Sequence, residues 1–316
     1  MNTRTTSWLP VILLVATLGG CRGTAMTTDT RPDFDALWNY ADPAATALQF
    51  DAVLESPRAQ DDPAYRAELL TQIARTQSLQ RRFDDAHATL DRAENTADPT
   101  MDRPWIRIDL ERGRSFNSAG HTDNATMHFK RAWMRARATG HDGLAVDAAH
   151  MLAIVDAEPG QLQWNHRGME LARESADPDA QRWLGSLCNN IGWSHHNNGD
   201  FEAALQSFED ALAHRIEAGK EADIRVAQWC VARCLRSLTR IEEALAIQQQ
   251  LNATSDPEQP DGYVAEELAE CLHALGRIDE ARPWFKRASE LLGQDQWLRE
   301  NEPDRLRRLA EHAKGT

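Results

Sequence analysis

One helix-forming block recurs along this chain every 37 to 40 residues, and that period leaves few folds open. Six anchor positions, Ala86, Ala125, Asn165, Ala204, Ala244 and Ala281, stand 39, 40, 39, 40 and 37 residues apart. Twelve residues before each anchor lies a small residue: Ala74, Gly113, Ala153, Gly192, Ala232, Ala269. Five before come Arg81, Gly120, Gly160, Gly199, Thr239 and Gly276, and three before come Phe83, Thr122, Leu162, Phe201, Ile241 and Ile278. Four after are Leu90, Phe129, Met169, Phe208, Gln248 and Phe285; seven after are Ala93, Ala132, Ala172, Ala211, Leu251 and Ala288. Self-similarity at this length marks a stack of small helical or strand units rather than one closed core.

Each position has a physical job. The upstream small residue lets a partner helix approach closely. Glycine five before the anchor ends the first helix of each unit (helix A), because it adopts the left-handed cap conformation at no steric cost. Phe, Leu or Ile then opens the apolar stripe of the second helix (helix B), and two small residues seven apart share one face of it. The unit is an antiparallel helix pair that cannot bury its apolar face alone and must stack on its neighbours. Leu, Ala, Glu, Arg and Gln dominate the blocks, with Gly and Pro between them, which is an all-α composition.

On these residues the chain resembles the tetratricopeptide repeat family. The strongest copy is "LCNNIGWSHHNNGDFEAALQSFEDAL", Leu187 to Leu212, with Gly192, Gly199, Phe201, Ala204, Phe208, Ala211 and Leu212 in family positions and His195 where the family usually has Tyr. A second is "LAECLHALGRIDEARPWFKRASELL" from Leu268. The resemblance implies a right-handed α-α superhelix of about six helix pairs with terminal capping helices. It also implies a concave surface lined by the A helices that binds peptide or protein. The period exceeds the family's usual length of roughly 34 residues, so helices or loops are longer. The third and fifth copies depart most, at Asn165, Thr239, Gln248 and Leu251.

The ends differ from the array. Met1 to Arg4 is a short basic start, and Trp8 to Leu18 is an apolar run too short for a spanning helix. Leu18-Gly19-Gly20-Cys21 resembles the bacterial lipobox, which implies lipid on the Cys21 sulfur and residues 1–20 removed as a signal peptide. An ordinary cleaved signal with an incidental cysteine is the alternative. Residues 21–32 then form a Thr-rich tether, 33–57 a helical cap with Phe34, Leu37, Trp38, Leu48, Val53 and Leu54 facing the first repeat, 64–292 the array, and 293–316 a closing helix with Leu306 and Leu309 inward. The expected location is the cell envelope, lipid-anchored and facing the periplasm. Arg22 after Cys21, in place of Asp, favours the outer membrane under the familiar lipoprotein sorting rule.

Without residues 1–20, and so without Arg4, the chain carries 34 Lys and Arg against 49 Asp and Glu, a net charge of −15. That argues against nucleic acid, whose binding rests on neutralising phosphates, and leaves membrane attachment to the lipid. Cys188, Cys230, Cys234 and Cys271 all fall in helical patterns and read as buried small apolar residues, although an oxidising compartment would permit a disulfide.

No catalytic constellation stands out. The chain has no GxSxG, GxGxxG, P-loop, HExxH or CxxC motif. His195 and His196 are adjacent and point about 100° apart on a helix, so they cannot share one ion. The reading is of a protein that is not an enzyme and needs no cofactor or metal. Helix A positions stepped back from each anchor predict the concave face, which carries five Arg and five acids and is neutral. The net acidity is therefore assigned to the convex face and loops. In the fourth and fifth repeats that face is Ser186, Asn189, Trp193, His196, Asn197, Val226, Trp229, Arg233, Arg236 and Ser237, without an acid, and in the sixth it is Tyr263, Glu266, Glu270, His273 and Ala274. Arg grips carboxylates by two parallel hydrogen bonds, Asn holds peptide backbone, and Trp offers a rigid contact surface.

These properties predict a site for an extended peptide or acidic protein segment built from Asn189, Trp193, His196, Asn197, Trp229, Arg233 and Arg236, with Arg114 and Asn117 extending it. The competing reading makes Trp193 and Trp229 interhelical core and pairs the arginines with nearby acids. The functional expectation is a membrane-anchored scaffold of the bacterial envelope. The alternative is a sensor for a small ligand or short peptide in the same concavity. Capped ends oppose endless stacking and leave the convex face open to a homo-oligomer.

Overall fold

In the computed structural model, residues 33–157 and 159–315 are described. Cys21, the tether and Glu158 lie outside them. The described residues are all-α. A short 3-10 turn at Asp33–Leu37 is followed by α1 (Pro43–Leu54), α2 (Pro57–Asp61), α3 (Pro63–Leu79), α4 (Phe83–Thr96), α5 (Asp102–Ser118), α6 (Thr122–Thr139) and α7 (Asp142–Val155). Then come α8 (Gly160–Glu174), α9 (Pro178–Gln181), α10 (Leu184–Asn198), α11 (Phe201–Ala218), α12 (Glu221–Ser237), α13 (Ile241–Ala253), α14 (Gly262–Ala274), α15 (Ile278–Leu292), α16 (Gln296–Asn301) and α17 (Pro303–Lys314). Two compact units divide the chain between Asp156 and Ala157.

In the first unit, α3–α4 and α5–α6 are helix hairpins. Helix starts are set locally: Asp42 and Asp62 accept hydrogen bonds from the first free backbone N–H groups of α1 and α3, and Pro43 and Pro63 occupy the first turn, where no N–H is needed. Helices α5 and α6 run 17 and 18 residues, so the long period is taken up by helix rather than loop. The turn at Asp33–Leu37 and α1 cover α3. Phe34 packs edge-on against Phe50 and Tyr65, with ring centroids 6.2 and 5.0 Å away, in a core with Leu69, Leu70 and Ile108. Leu48, expected in that cap, is 73% exposed. It lies two positions from Phe50, which puts it off the inward face of a helix.

In the second unit, α10–α11, α12–α13 and α14–α15 are hairpins, and α17 closes the last one. Leu309 is fully buried there and Leu306 packs against the core. Arg305 forks onto Glu266 from across the helix pair.

The hairpin turns use a left-handed residue at the repeating junction. Gly120, Gly199 and Gly276 have positive φ, but so do Arg81 and Thr239, both at +61°. Side chains rarely adopt this conformation, which costs roughly 1–2 kcal/mol. The third junction breaks the pattern. Gly160 was expected to end a helix A; instead α7 stops at Val155 and Gly160 opens α8 behind Pro159. Pro159 lacks an N–H and cannot continue a helix from α7, so the turn is made several residues early.

The four cysteines among the described residues, Cys188, Cys230, Cys234 and Cys271, are buried and form no disulfide with one another. Burial raises every thiol, Cys230 and Cys271 to about 12 and Cys234 to about 11.

Candidate functional site

The second unit brings together seven of the nine residues proposed from sequence for binding. Asn189, Trp193, His196 and Asn197 lie on α10; Trp229, Arg233 and Arg236 lie on α12. Spacings of three and four keep each set on one helix face. Trp193 sits edge-on to Phe208 at 5.1 Å and tilted against Trp229 at 6.1 Å. Trp229 meets Tyr263 of α14 edge-on at 6.1 Å. The rings form a stripe across α10, α12 and α14, with the Arg305 guanidinium over Tyr263 at 5.6 Å. Both tryptophans are half-buried and pack against the core, so each serves the core with one side and the surface with the other. The Trp229 Nε1–H is buried without an acceptor among the described residues.

Beside the stripe is a polar chain. Arg233 Nη1 donates to Ser237 Oγ at 2.7 Å, and Ser237 Oγ lies 2.9 Å from His196 Nε2. Arginine can only donate, so Ser237 Oγ accepts from it, and the hydroxyl proton has His196 Nε2 and, at 3.4 Å, the Arg233 carbonyl within reach. Burial, then Arg233 and Arg236, push the His196 pKa down to about 4, so the ring is neutral near pH 7, and Arg233 Nη1 3.5 Å from Nε2 favours Nε2 as the acceptor. The Cys230 thiol donates to Asn189 Oδ1 at 3.3 Å. Asn197 is exposed at the end of α10.

The arginines are not free to grip a ligand carboxylate. Arg236 forks onto Glu267 of α14 at 2.7 and 2.9 Å, and Arg233 Nε lies 3.2 Å from the same carboxylate. Burial pulls the Arg236 pKa down, and the hydrogen bonds it donates to Glu267, with that carboxylate's charge, more than reverse it. Glu267 is only 3% exposed. The face therefore contains an acid that the fourth and fifth repeats alone did not reveal, supplied by the sixth. Arg305 and Arg308 are likewise matched by Glu266 and Glu270. With Glu302, which also pairs with Arg305, four guanidiniums meet four carboxylates among the described residues of this face.

Arg114 and Asn117 lie in the first unit, on α5. Arg114 pairs with Glu111 and Asp147, and its guanidinium is held charged by them against the effect of burial. Asn117 is half-buried one turn further on.

Sequence reasoning missed three members of the arrangement. Ser237 and Tyr263 occupied predicted concave positions but were not singled out. Glu267 lies one residue beyond the predicted position at Glu266. Among the described residues, no group of three His, Cys, Asp or Glu side chains could hold a metal ion, and no helix is long and apolar enough to cross a membrane.

Residues 184–218, which make up α10 and α11, match the tetratricopeptide repeat family model. The fold is similar to that of NprR in complex with its cognate peptide NprX, with 14% identity, a TM-score of 0.50, and coverage of 84% of this chain and 76% of that one. It is also similar to the apo quorum sensor NprR from B. thuringiensis, with 13% identity, a TM-score of 0.53, and coverage of 86% and 83%. A tetratricopeptide repeat protein from Parabacteroides merdae gives 13% identity and a TM-score of 0.50 over 87% of this chain and 93% of that one. These likenesses place the chain among helical-repeat proteins. No curated protein sequence matches it.

Proposed function

We propose that this chain captures an extended peptide or protein segment along α10, α12 and α14 of its second unit, and that it does so from the bacterial cell envelope, held by a lipid on Cys21. The observation that carries the binding reading is the half-exposed stripe Trp193–Trp229–Tyr263, flanked by Asn189, His196 and Asn197. Rigid aromatic surface beside side-chain amides suits recognition of peptide backbone and apolar side chains. Glu267 already satisfies Arg233 and Arg236, so the bound segment is neutral where it crosses them. The NprR complex, which shares the architecture, holds a peptide, and this supports binding rather than chemistry.

The test is affinity capture from detergent-solubilised envelopes, with full-length wild type beside an Asn189→Ala/Trp229→Ala/Asn197→Ala variant whose helix content is checked. Partners lost only from the variant support the site. Identical partners from both move the interface elsewhere on the molecule. The anchor is tested separately: Cys21→Ala should shift the protein from the membrane fraction to the soluble one, and unchanged membrane association removes the lipid from the account.

A further inference from the structure

The concave A-helix face of the first unit is filled by the chain itself. Residues 33–41 run across α3 and α5 before α1 begins. Asp35 forks onto Arg107 of α5 at 2.8 and 3.2 Å. The Trp38 indole donates to Gln72 Oε1 of α3 at 3.0 Å. Tyr40 stacks on Trp38 at 4.5 Å, with the rings 8° from parallel. Burial raises the Tyr40 hydroxyl pKa, and Arg75, Arg114, Glu111 and Asp147 all act on it. Asp35, Trp38 and Tyr40 thus place one carboxylate and a pair of stacked rings on a row of half-buried and buried charges, while Asp33 is held by Tyr65 and Arg58.

The charge count shows what this face takes. Arg103 and Arg107 share Glu68; Arg75 and Arg114 share Glu111, and Arg114 also holds Asp147. Among the described residues, α3, α5 and α7 therefore set four guanidiniums against three carboxylates in this network. Asp35 is the fourth. Side-chain exposure of Arg107 and Asp35 is 11% and 13%, so leaving that guanidinium short of a partner would be costly. The backbone bonds of the segment, in contrast, stay local. Asn39 N–H goes to Thr46 Oγ1, Ala41 N–H goes to Asn39 Oδ1, and Asn39 C=O accepts from Thr46 Oγ1 and Asp42 N–H, so across α3 and α5 the attachment is made by side chains.

We propose that Asp35–Ala41 is a built-in occupant of a binding groove, and that the first unit takes, in exchange for it, a partner segment of the same chemistry: a carboxylate three residues before an indole, with a second aromatic two residues later. This reading concerns α3 and α5 and stands independently of the site in the second unit. Phe34, in the core, would keep the displaced segment tethered to its own unit.

The experiment uses a fluorescein-labelled peptide of residues 33–41, titrated with the full-length chain and read by anisotropy. Wild type, with its groove occupied, should bind weakly. A full-length Asp35→Ala/Trp38→Ala/Tyr40→Ala variant that keeps its helical signal should bind at least tenfold more tightly, and the same peptide carrying Asp35→Ala should lose that gain. A helical variant that gains no affinity overturns the proposal and makes the segment a permanent cap. If the triple variant loses helix, the isosteric Asp35→Asn chain decides: a gain of threefold or more supports exchange, and wild-type affinity overturns it.

Discussion

Gly192 on α10 and Phe208 on α11 interlock: a Cβ on Gly192 would lie 2.6 Å from Phe208 Cε1. Gly113 and Phe129 repeat the contact in α5–α6 at 2.5 Å. Where the ring is replaced by Leu90, the partner is Ala74, and both are buried. The α14–α15 hairpin combines Ala269 with Phe285, so the tight approach belongs to the two glycine-containing hairpins. Gly192→Ala should gain helix propensity but overpack the ring, a net loss of about 1 kcal/mol. Adding Phe208→Leu should recover most of it. Urea denaturation of the two variants checks this, and a stabilised single variant would contradict the interlock.

Thr239 makes its turn at φ +61° with a β-branched side chain. Thr239→Gly should relieve that strain, partly offset by greater freedom in the unfolded chain, for a gain of about 0.5–1 kcal/mol. The thermal midpoint should rise. A fall would mean that the threonine side chain contributes more than its backbone costs.

Gln248 is fully buried on α13 at the position where three other repeats carry Phe and two carry Leu or Met, and neither side-chain polar atom has a partner among the described residues. A buried amide without partners costs about 1–3 kcal/mol. Gln248→Met, close to it in volume, should raise stability by about that amount in equilibrium unfolding. No gain would mean that buried water satisfies the amide.

Glu267 holds two guanidiniums from α12. Removing its charge with Glu267→Gln strands them in a poorly hydrated place and should cost about 3 kcal/mol. The triple variant Glu267→Met/Arg233→Met/Arg236→Met should recover most of the loss, because neither guanidinium is then left without its carboxylate. The corresponding mutant cycle in urea gives the coupling, and additive losses would show that the ion pairs are energetically idle.

His196 titrates near pH 4 when folded and near pH 6.5 when unfolded. Between those values the unfolded chain binds more protons, so this residue makes stability fall as pH drops through that window and leaves it unchanged above. Comparing urea midpoints near pH 7.5 and near pH 5, His196→Gln should lose less stability on acidification than wild type. Equal losses would place the titration elsewhere.

The helix pairs were legible in the sequence because close packing admits few side chains. Gly192, Phe208 and Ala211 recur at a fixed spacing for reasons that act within one hairpin. The junctions at Arg81 and Thr239 kept their left-handed turn without glycine, since the surrounding packing imposes it. Pro159 overrode the same expectation at Gly160. The polar side of the candidate site was less legible. Glu267 reaches Arg233 and Arg236 from the next repeat, and pairing between repeats leaves no mark in the spacing of either. The residues at 33–41 read as an apolar cap, while their contact with Arg107 depends on where Asp35 comes to rest 72 residues away.

The four buried thiols have a consequence for how this protein can be made. Burial pushes Cys230 and Cys271 up to about 12, so in the folded protein both remain thiols at neutral pH. None of the four contributes a crosslink to the fold. Folding of the described residues therefore needs neither an oxidant nor a disulfide isomerase, and the repeat region should reach the same state in a reducing cytoplasm as in an oxidising compartment.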